Sequence, residues 1–184
     1  MRAIILSVCF ALLFNYSFGQ ADNQSTKNIS IGFELDAVPY IFQGYYASVW
    51  VGHNHFRYRA VITKIDTPDF ILDDGFTNNE IRVYATIVDY FFKPDFKGWW
   101  IGPGLEYWDA KIQTDAKLNT SKYNNVIFTL GGGYVWKFYK NFYLNPWVAG
   151  HLRIAGDKDV IVDGSTFETP VIIPEISVKL GWHF

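Results

Sequence analysis

The sequence predicts an all-β fold, a closed antiparallel eight-stranded transmembrane β-barrel with up-and-down topology. Three observations predict it. From Asn28 onward, β-branched and aromatic residues alternate with polar ones, broken by clusters of Gly, Pro, Asn and Asp. Short and long connections alternate along the chain, as they do when tight turns occupy one end of a barrel and loops the other. Aromatic residues make up 19% of the chain, yet beyond its amino-terminal segment no apolar run approaches the roughly 20 residues of a membrane helix.

The amino-terminal segment reads as an export signal over residues 1–19. Arg2 is a short basic region, Ala3 to Phe14 are almost wholly apolar, and Ser17-Phe18-Gly19 suits cleavage before Gln20. The one cysteine of the chain, Cys9, lies inside this segment and leaves with it. Residues 20–184 then form a single barrel domain with no disulfide and no thiol chemistry. Removing Arg2 leaves 15 of the 16 basic residues against 18 acidic ones, so no global charge draws the chain to nucleic acid.

Eight strands fall near 29–38, 44–53, 55–66, 79–92, 98–113, 124–138, 142–155 and 170–184. Strand one sets Ile29, Ile31, Phe33 and Leu35 against Ser30, Glu34 and Asp36. A turn at Asn54 joins strands two and three, and 67–78 is a long polar loop. Strand four sets Ile81, Val83, Ala85 and Ile87 against Glu80, Arg82, Tyr84 and Thr86. The turns at 93–97 and 139–141 are short, while 114–123 and 156–169 are longer. In strand seven Phe142, Leu144, Val148, Leu152 and Ile154 oppose Tyr143, Asn145, Trp147, His151 and Arg153. In strand eight Ile172, Ile176, Val178, Leu180, Trp182 and Phe184 oppose Glu175, Ser177, Lys179 and His183.

A membrane barrel turns its apolar face outward and keeps the polar one within. That rule places Glu34, Asp36, Arg57, Arg59, Glu80, Arg82, Glu106, Arg153, Glu175 and Lys179 in the interior, with the two signs balanced. It also puts Phe56, Phe91, Trp99, Phe138, Phe142 and Phe184 outward beside the short turns, as an interfacial aromatic girdle. Asp89 and Asp109 would face outward against the rule. Pro103, Pro146 and Pro174 predict bulges, because proline donates nothing to a β-ladder.

The chain ends on Val178, Leu180, Trp182 and Phe184, an alternating apolar run with a terminal aromatic. In this it resembles the small eight-stranded outer-membrane β-barrel proteins of the OmpA/OmpX-type class, whose last strand serves as the insertion signal. The resemblance implies location in the cell outer membrane, contact with outer-membrane lipid and lipopolysaccharide, and delivery by the barrel-insertion machinery.

Eight strands enclose just enough space for side chains to fill, so the interior is expected to be a paired polar plug and not a pore. The function expected is non-enzymatic, in a structural, adhesion or ligand-binding role, with no cofactor and no metal. One alternative is an enzyme that modifies lipid A or phospholipid, for which His151 is the candidate base, with Glu106, Glu175 and Ser177 as possible neighbours. Another is a soluble lipocalin-like carrier with its apolar side chains inside. Asp66, Asp69, Asp73, Asp74 and Glu80 around the second outer loop read as a solvated acidic loop, since Asp73-Asp74-Gly75 lacks the alternating ligands of a calcium loop. The apolar stretches 38–42 and 70–72 either line a mouth for a lipid or fold over the barrel top. Gly131-Gly132-Gly133 has no phosphate-loop context and predicts a bend or close packing.

Overall fold

The computed structural model describes residues 29–184, so the export signal expected at 1–19 lies outside the described residues. Ten strands form, separated by turn-forming sequences: β1 Ser30–Asp36, β2 Tyr45–His53, β3 Phe56–Thr67, β4 Phe76–Phe91, β5 Gly98–Thr114, β6 Thr120–Tyr139, β7 Phe142–Gly156, β8 Asp159–Val162, β9 Ser165–Glu168 and β10 Ile172–His183. A short helix, α1 (Ala37–Ile41), follows β1 because the Asp36 carboxylate caps it, accepting from the Val38 N–H at 3.0 Å. The tight turns place Asn54 and Lys140 at positive φ. Asparagine tolerates that conformation better than most residues.

Eight of the strands pair with their sequence neighbours, and β1 pairs antiparallel with β10, through Leu35 and Leu180 among others, to close the ring. The remaining two, β8 and β9, form a separate hairpin in the connection between β7 and β10. Tight turns and both ends of the barrel chain lie at one rim, here called the turn end, and the longer connections lie at the other, the loop end.

Through most of the barrel, the outer face is apolar and the inner face is not. Ile31, Phe33, Leu35, Leu105, Leu130, Val148, Val178 and Leu180 are exposed, whereas Glu34, Arg57, Arg59, Asn145 and Lys179 are buried. This is the arrangement of a barrel whose outer solvent is lipid. A soluble carrier would hide the apolar set inside, so that alternative is overturned.

The strands also extend beyond a membrane span. β6 has 20 residues and β5 has 17, against the roughly 9–11 that cross the hydrocarbon. In the excess at the loop end the polarity inverts. Phe76, Ala110, Ile112 and Tyr123 point inward and pack against Val160, Val162 and Phe167 of the β8–β9 hairpin. Phe167 meets Phe76 at 5.3 Å and Tyr123 at 5.9 Å between ring centroids. Side-chain bonds tie the hairpin down: Ser121 donates to the Ile161 carbonyl at 2.7 Å, and Asp163 accepts from Thr114 at 2.6 Å. An apolar inside and a polar outside is the rule for a sheet in water.

This inversion explains the principal correction. Val83 and Ile87 are buried inside, and Asp89 is buried with them, while Glu80, Arg82 and Tyr84 point outward. The expected facing of β4 is therefore reversed, because the strand crosses the polarity boundary and one apolar-out rule cannot hold along it. Phe91 is likewise fully buried, and Tyr90 and Phe92 take its place on the outer girdle. Asp109 does face outward, but beside the aqueous extension.

The prolines distort less than expected. Pairing runs without interruption through Pro146↔Val178 and Pro174↔Gly150. At Pro103 the β4–β5 ladder omits Val88 and Asp89 but keeps its register. The irregularities fall instead at Thr77/Glu80, Val126/Ile127 and Lys137/Tyr139. Gly131 and Gly133 serve close packing: a Cβ on Gly133 would lie 2.9 Å from atoms of both Trp100 and Trp147.

Candidate functional site

The inner half nearest the turn end is built around four charges. Arg57 and Arg59 alternate inward on β3, Glu34 comes from β1 and Asp89 from β4. Arg57 donates through Nε to Asp89 at 2.7 Å and through Nη1 to Glu34 at 2.9 Å. Arg59 donates through Nη2 to Asp89 at 2.8 Å and through Nη1 to Glu34 at 3.4 Å. Each ion therefore has two partners of opposite sign and the cycle is neutral, the condition under which buried charge is tolerated. The ion pair of Glu34 and Arg57 bridges across β2, where Ser48 stands opposite Glu34, Trp50 opposite Arg59 and Gly52 opposite Arg57.

Aromatic donors extend the cycle across the barrel. Glu34 also accepts from Tyr143 at 3.0 Å and Asn145 at 3.1 Å, both on β7. Tyr143 in turn accepts from the Trp50 indole at 2.9 Å, and Asn145 from that of Trp100 at 2.9 Å. The Arg57 guanidinium lies 4.9 Å from the Phe91 ring centroid and 5.6 Å from Trp50, within cation–π range. Phe96, from the turn between β4 and β5, folds under these rings at 5.7 Å from Trp50 and 5.5 Å from Phe91. The turn end is thereby filled by side chains.

Nearer the loop end, Lys179 is fully buried with its amine 3.3 Å from the Trp147 ring centroid. Asp36 accepts from Ser177 and from the Val38 N–H of α1, which joins the interior to the first outer loop. His151 sits between two carboxylates: Nε2 is 2.8 Å from Glu175, and Nδ1 is 3.3 Å from Glu106 and 2.9 Å from the Thr129 hydroxyl. Thr129 itself donates to Glu106 at 2.7 Å. Acylation chemistry requires a ring nitrogen free to take a proton from a nucleophile. Here Nε2 faces the Glu175 carboxylate, Nδ1 lies nearest the Thr129 hydroxyl, whose proton is given to Glu106, and Ser177 is engaged by Asp36.

Eight of the ten residues expected inside are on the inner face; Arg153 is only half-buried, with its Nη2 donating to the Thr169 carbonyl at 3.4 Å. Glu80 and Arg82 are the exceptions, outside the barrel wall in a cluster with Lys64 and Lys111. Asp69 accepts from Thr77 at 3.0 Å, and Asp66 pairs with Lys64 at 3.4 Å. Among the described residues, no group of three or more His, Cys, Asp or Glu side chains is placed to hold a metal. The 38–42 stretch becomes α1 and folds over the barrel top, packing on β2, β3 and β10, with the Tyr40 hydroxyl donating to the Tyr46 carbonyl at 3.1 Å. Phe70 remains exposed.

Val178, Leu180, Trp182 and Phe184 lie on the outer face of the closing strand, where Trp182 meets Phe142 edge-on at 4.2 Å. Sequence reasoning missed Asp89 as an interior ion, Tyr143 and Asn145 as donors to Glu34 with Trp50 and Trp100 behind them, and Thr129 as a donor to Glu106. Their inward alternation was the available signal.

No protein-family model and no curated protein matches the sequence. Solved structures match its fold. Neisserial surface protein A superposes with a TM-score of 0.50 at 11% identity, covering 85% of this chain and 94% of that one. A major outer membrane protein from Thermus thermophilus superposes with a TM-score of 0.52 at 8% identity, covering 85% and 98%. The chain has the fold of an outer-membrane β-barrel. Identities this low carry the architecture, and the barrel's own interior and rim must supply the rest.

Proposed function

We propose that the chain is a non-enzymatic, non-conducting outer-membrane protein whose sealed barrel anchors a rigid β-platform at the cell surface for binding or adhesion. The observation that carries this is the division of the chain into two cores: a charged and aromatic plug within the membrane span, and an apolar core shared by β4–β6 and the β8–β9 hairpin beyond it. A barrel of eight strands filled by side chains in this way is expected to pass no solute. The second core gives the projecting strands a fixed shape, as a docking surface requires. The outward ending Val178–Phe184 fits recognition by the barrel-insertion machinery during assembly.

The test uses single cysteines in the full chain, whose one native cysteine is Cys9. A membrane-impermeant maleimide applied to intact cells should label Asp163→Cys in the hairpin and not Lys140→Cys in the opposite turn. The purified protein in planar bilayers should give no steady conductance. Labelling at residue 140 alone, or a stable open channel, would refute the reading.

A further inference from the structure

Strand pairing brings outward-facing charges from four strands into two rows on one side of the barrel. Lys64, Arg82, Asp109 and Asn124 are successive cross-strand partners, and directly above them so are Asp66, Glu80, Lys111 and Lys122. The row immediately below is Ile62, Tyr84, Tyr107 and Val126, with Leu105 and Phe128 beneath it. The charges therefore begin where the apolar wall stops, with two tyrosines at the border, the position these rings prefer at a membrane interface.

Within the cluster, Glu80 gathers three cations: Lys64 at 3.0 Å, Arg82 at 3.0 Å and Lys111 at 3.2 Å. Asp66 pairs with Lys64 at 3.4 Å and Asp109 stands opposite Arg82, so with Lys122 the rim sets four cations against three carboxylates, an excess of one positive charge facing outward. The Arg82 side chain remains 53% exposed and that of Lys111 44%. Lys122 adds a fourth cation across from Lys111. A cleft of about 210 Å³ is lined by Glu80, Arg82, Asp109, Lys111 and Lys122. A second, of about 520 Å³, continues from Glu80 and Lys111 towards Ile41, Phe42 and Pro68 of the neighbouring loops.

We infer that this rim is a binding site for the phosphorylated headgroup of an outer-leaflet lipid, with Arg82, Lys111 and Lys122 contacting phosphate and the row beneath contacting the acyl chains. The inference rests on the outer-membrane reading above. A guanidinium and two ammonium groups suit phosphate oxygens. An apolar wall directly below suits an amphipathic ligand better than a soluble anion. The acidic partners space the cations and limit the site to the sugar or phosphate edge of the headgroup.

Native mass spectrometry of the full-length protein in detergent tests this with three probes: a bis-phosphorylated lipid A, its dephosphorylated counterpart, and inorganic phosphate. The wild type should retain the phosphorylated lipid at least tenfold better than the dephosphorylated one and bind inorganic phosphate weakly. Arg82→Gln/Lys111→Gln should remove that preference, Arg82→Lys should keep part of it, and Lys140→Gln at the opposite end should not change it. Heat-modified gel migration establishes that each variant is folded. Equal retention of the two lipids, an undiminished preference in the double variant, or phosphate binding that competes fully with lipid would each overturn the site. A folded wild type that inserts in membranes yet shows no preference refutes this inference alone; failure of surface labelling in cells refutes the outer-membrane reading as well.

Discussion

Arg57 and Asp89 are direct partners across the β3–β4 ladder, and their side chains meet inside the barrel at 2.7 Å. That pairing fixes which face of β4 is internal. A shift of one residue would move Asp89 into the lipid wall and leave Arg57 short of a counter-ion, and every other side chain on β4 would reverse with it.

The register gives the first prediction. Asp89→Asn should destabilise the barrel by about 3–5 kcal/mol, because two buried guanidinium groups lose a charged partner. Asp109→Asn, on the exposed rim, should change stability by less than about 0.5 kcal/mol. Urea unfolding of the two variants in the same detergent or bilayer checks this. Comparable losses would mean that the two aspartates share one environment.

The contrast between these residues also shows what the sequence could disclose. Strands seven and eight of the expected set, now β7 and β10, carry one polarity rule from end to end. Their inner residues, His151 and Lys179 among them, could be read from alternation alone. β4 crosses from lipid to water, and its lipid-level segment sets Ile87, Asp89 and Phe91 inward against Thr86, Val88 and Tyr90 outward, so polar and apolar residues stand on both faces. Its facing is set by Arg57, a contact across the ladder that no periodicity within the strand contains. The β8–β9 hairpin was illegible for a related reason. Val160, Val162 and Phe167 are too few and too short a run to announce a core, and they become one only against Phe76, Ile112 and Tyr123.

Close packing at the turn end gives a second prediction. A methyl group on Gly181 would overlap the Tyr143 ring, which is held by its bonds to Trp50 and Glu34. Gly181→Ala should therefore cost about 1–3 kcal/mol by overpacking. The cost should fall when combined with Tyr143→Ala, so that the two changes are non-additive in a double-mutant cycle. Strict additivity would show that the ring yields freely.

His151 separates a structural role from a catalytic one. Its removal leaves Glu175 without this partner, while Glu106 keeps its bonds from Thr129 and Trp108, so His151→Ala should destabilise by about 1–3 kcal/mol, in the range for a lost buried hydrogen-bond partner. Cells carrying wild type or His151→Ala should have identical lipid A acyl patterns by mass spectrometry. A pattern present with wild type and absent with the variant would establish lipid-modifying chemistry and overturn the non-enzymatic reading.

The β8–β9 hairpin should be the acid-sensitive part of the surface platform. Asp163 accepts from Thr114 at 2.6 Å and from the Asn119 amide at 2.7 Å, and these bonds hold its carboxyl below the ordinary value of 3.8. A depressed folded-state value means that ionisation favours the docked hairpin. Its contribution is fully present above about pH 4 and is lost as the pH falls through the lowered value. The protection of the amides of 160–167, relative to their intrinsic exchange rate at each pH, should accordingly fall below about pH 4 in the wild type, while the barrel amides of β6 and β7 stay protected. Asp163→Asn should show low protection in the hairpin already at neutral pH and little further change in protection on acidification. If the variant and the wild type respond to acid alike, the hairpin is held by its apolar contacts alone and Asp163 has no part in docking it.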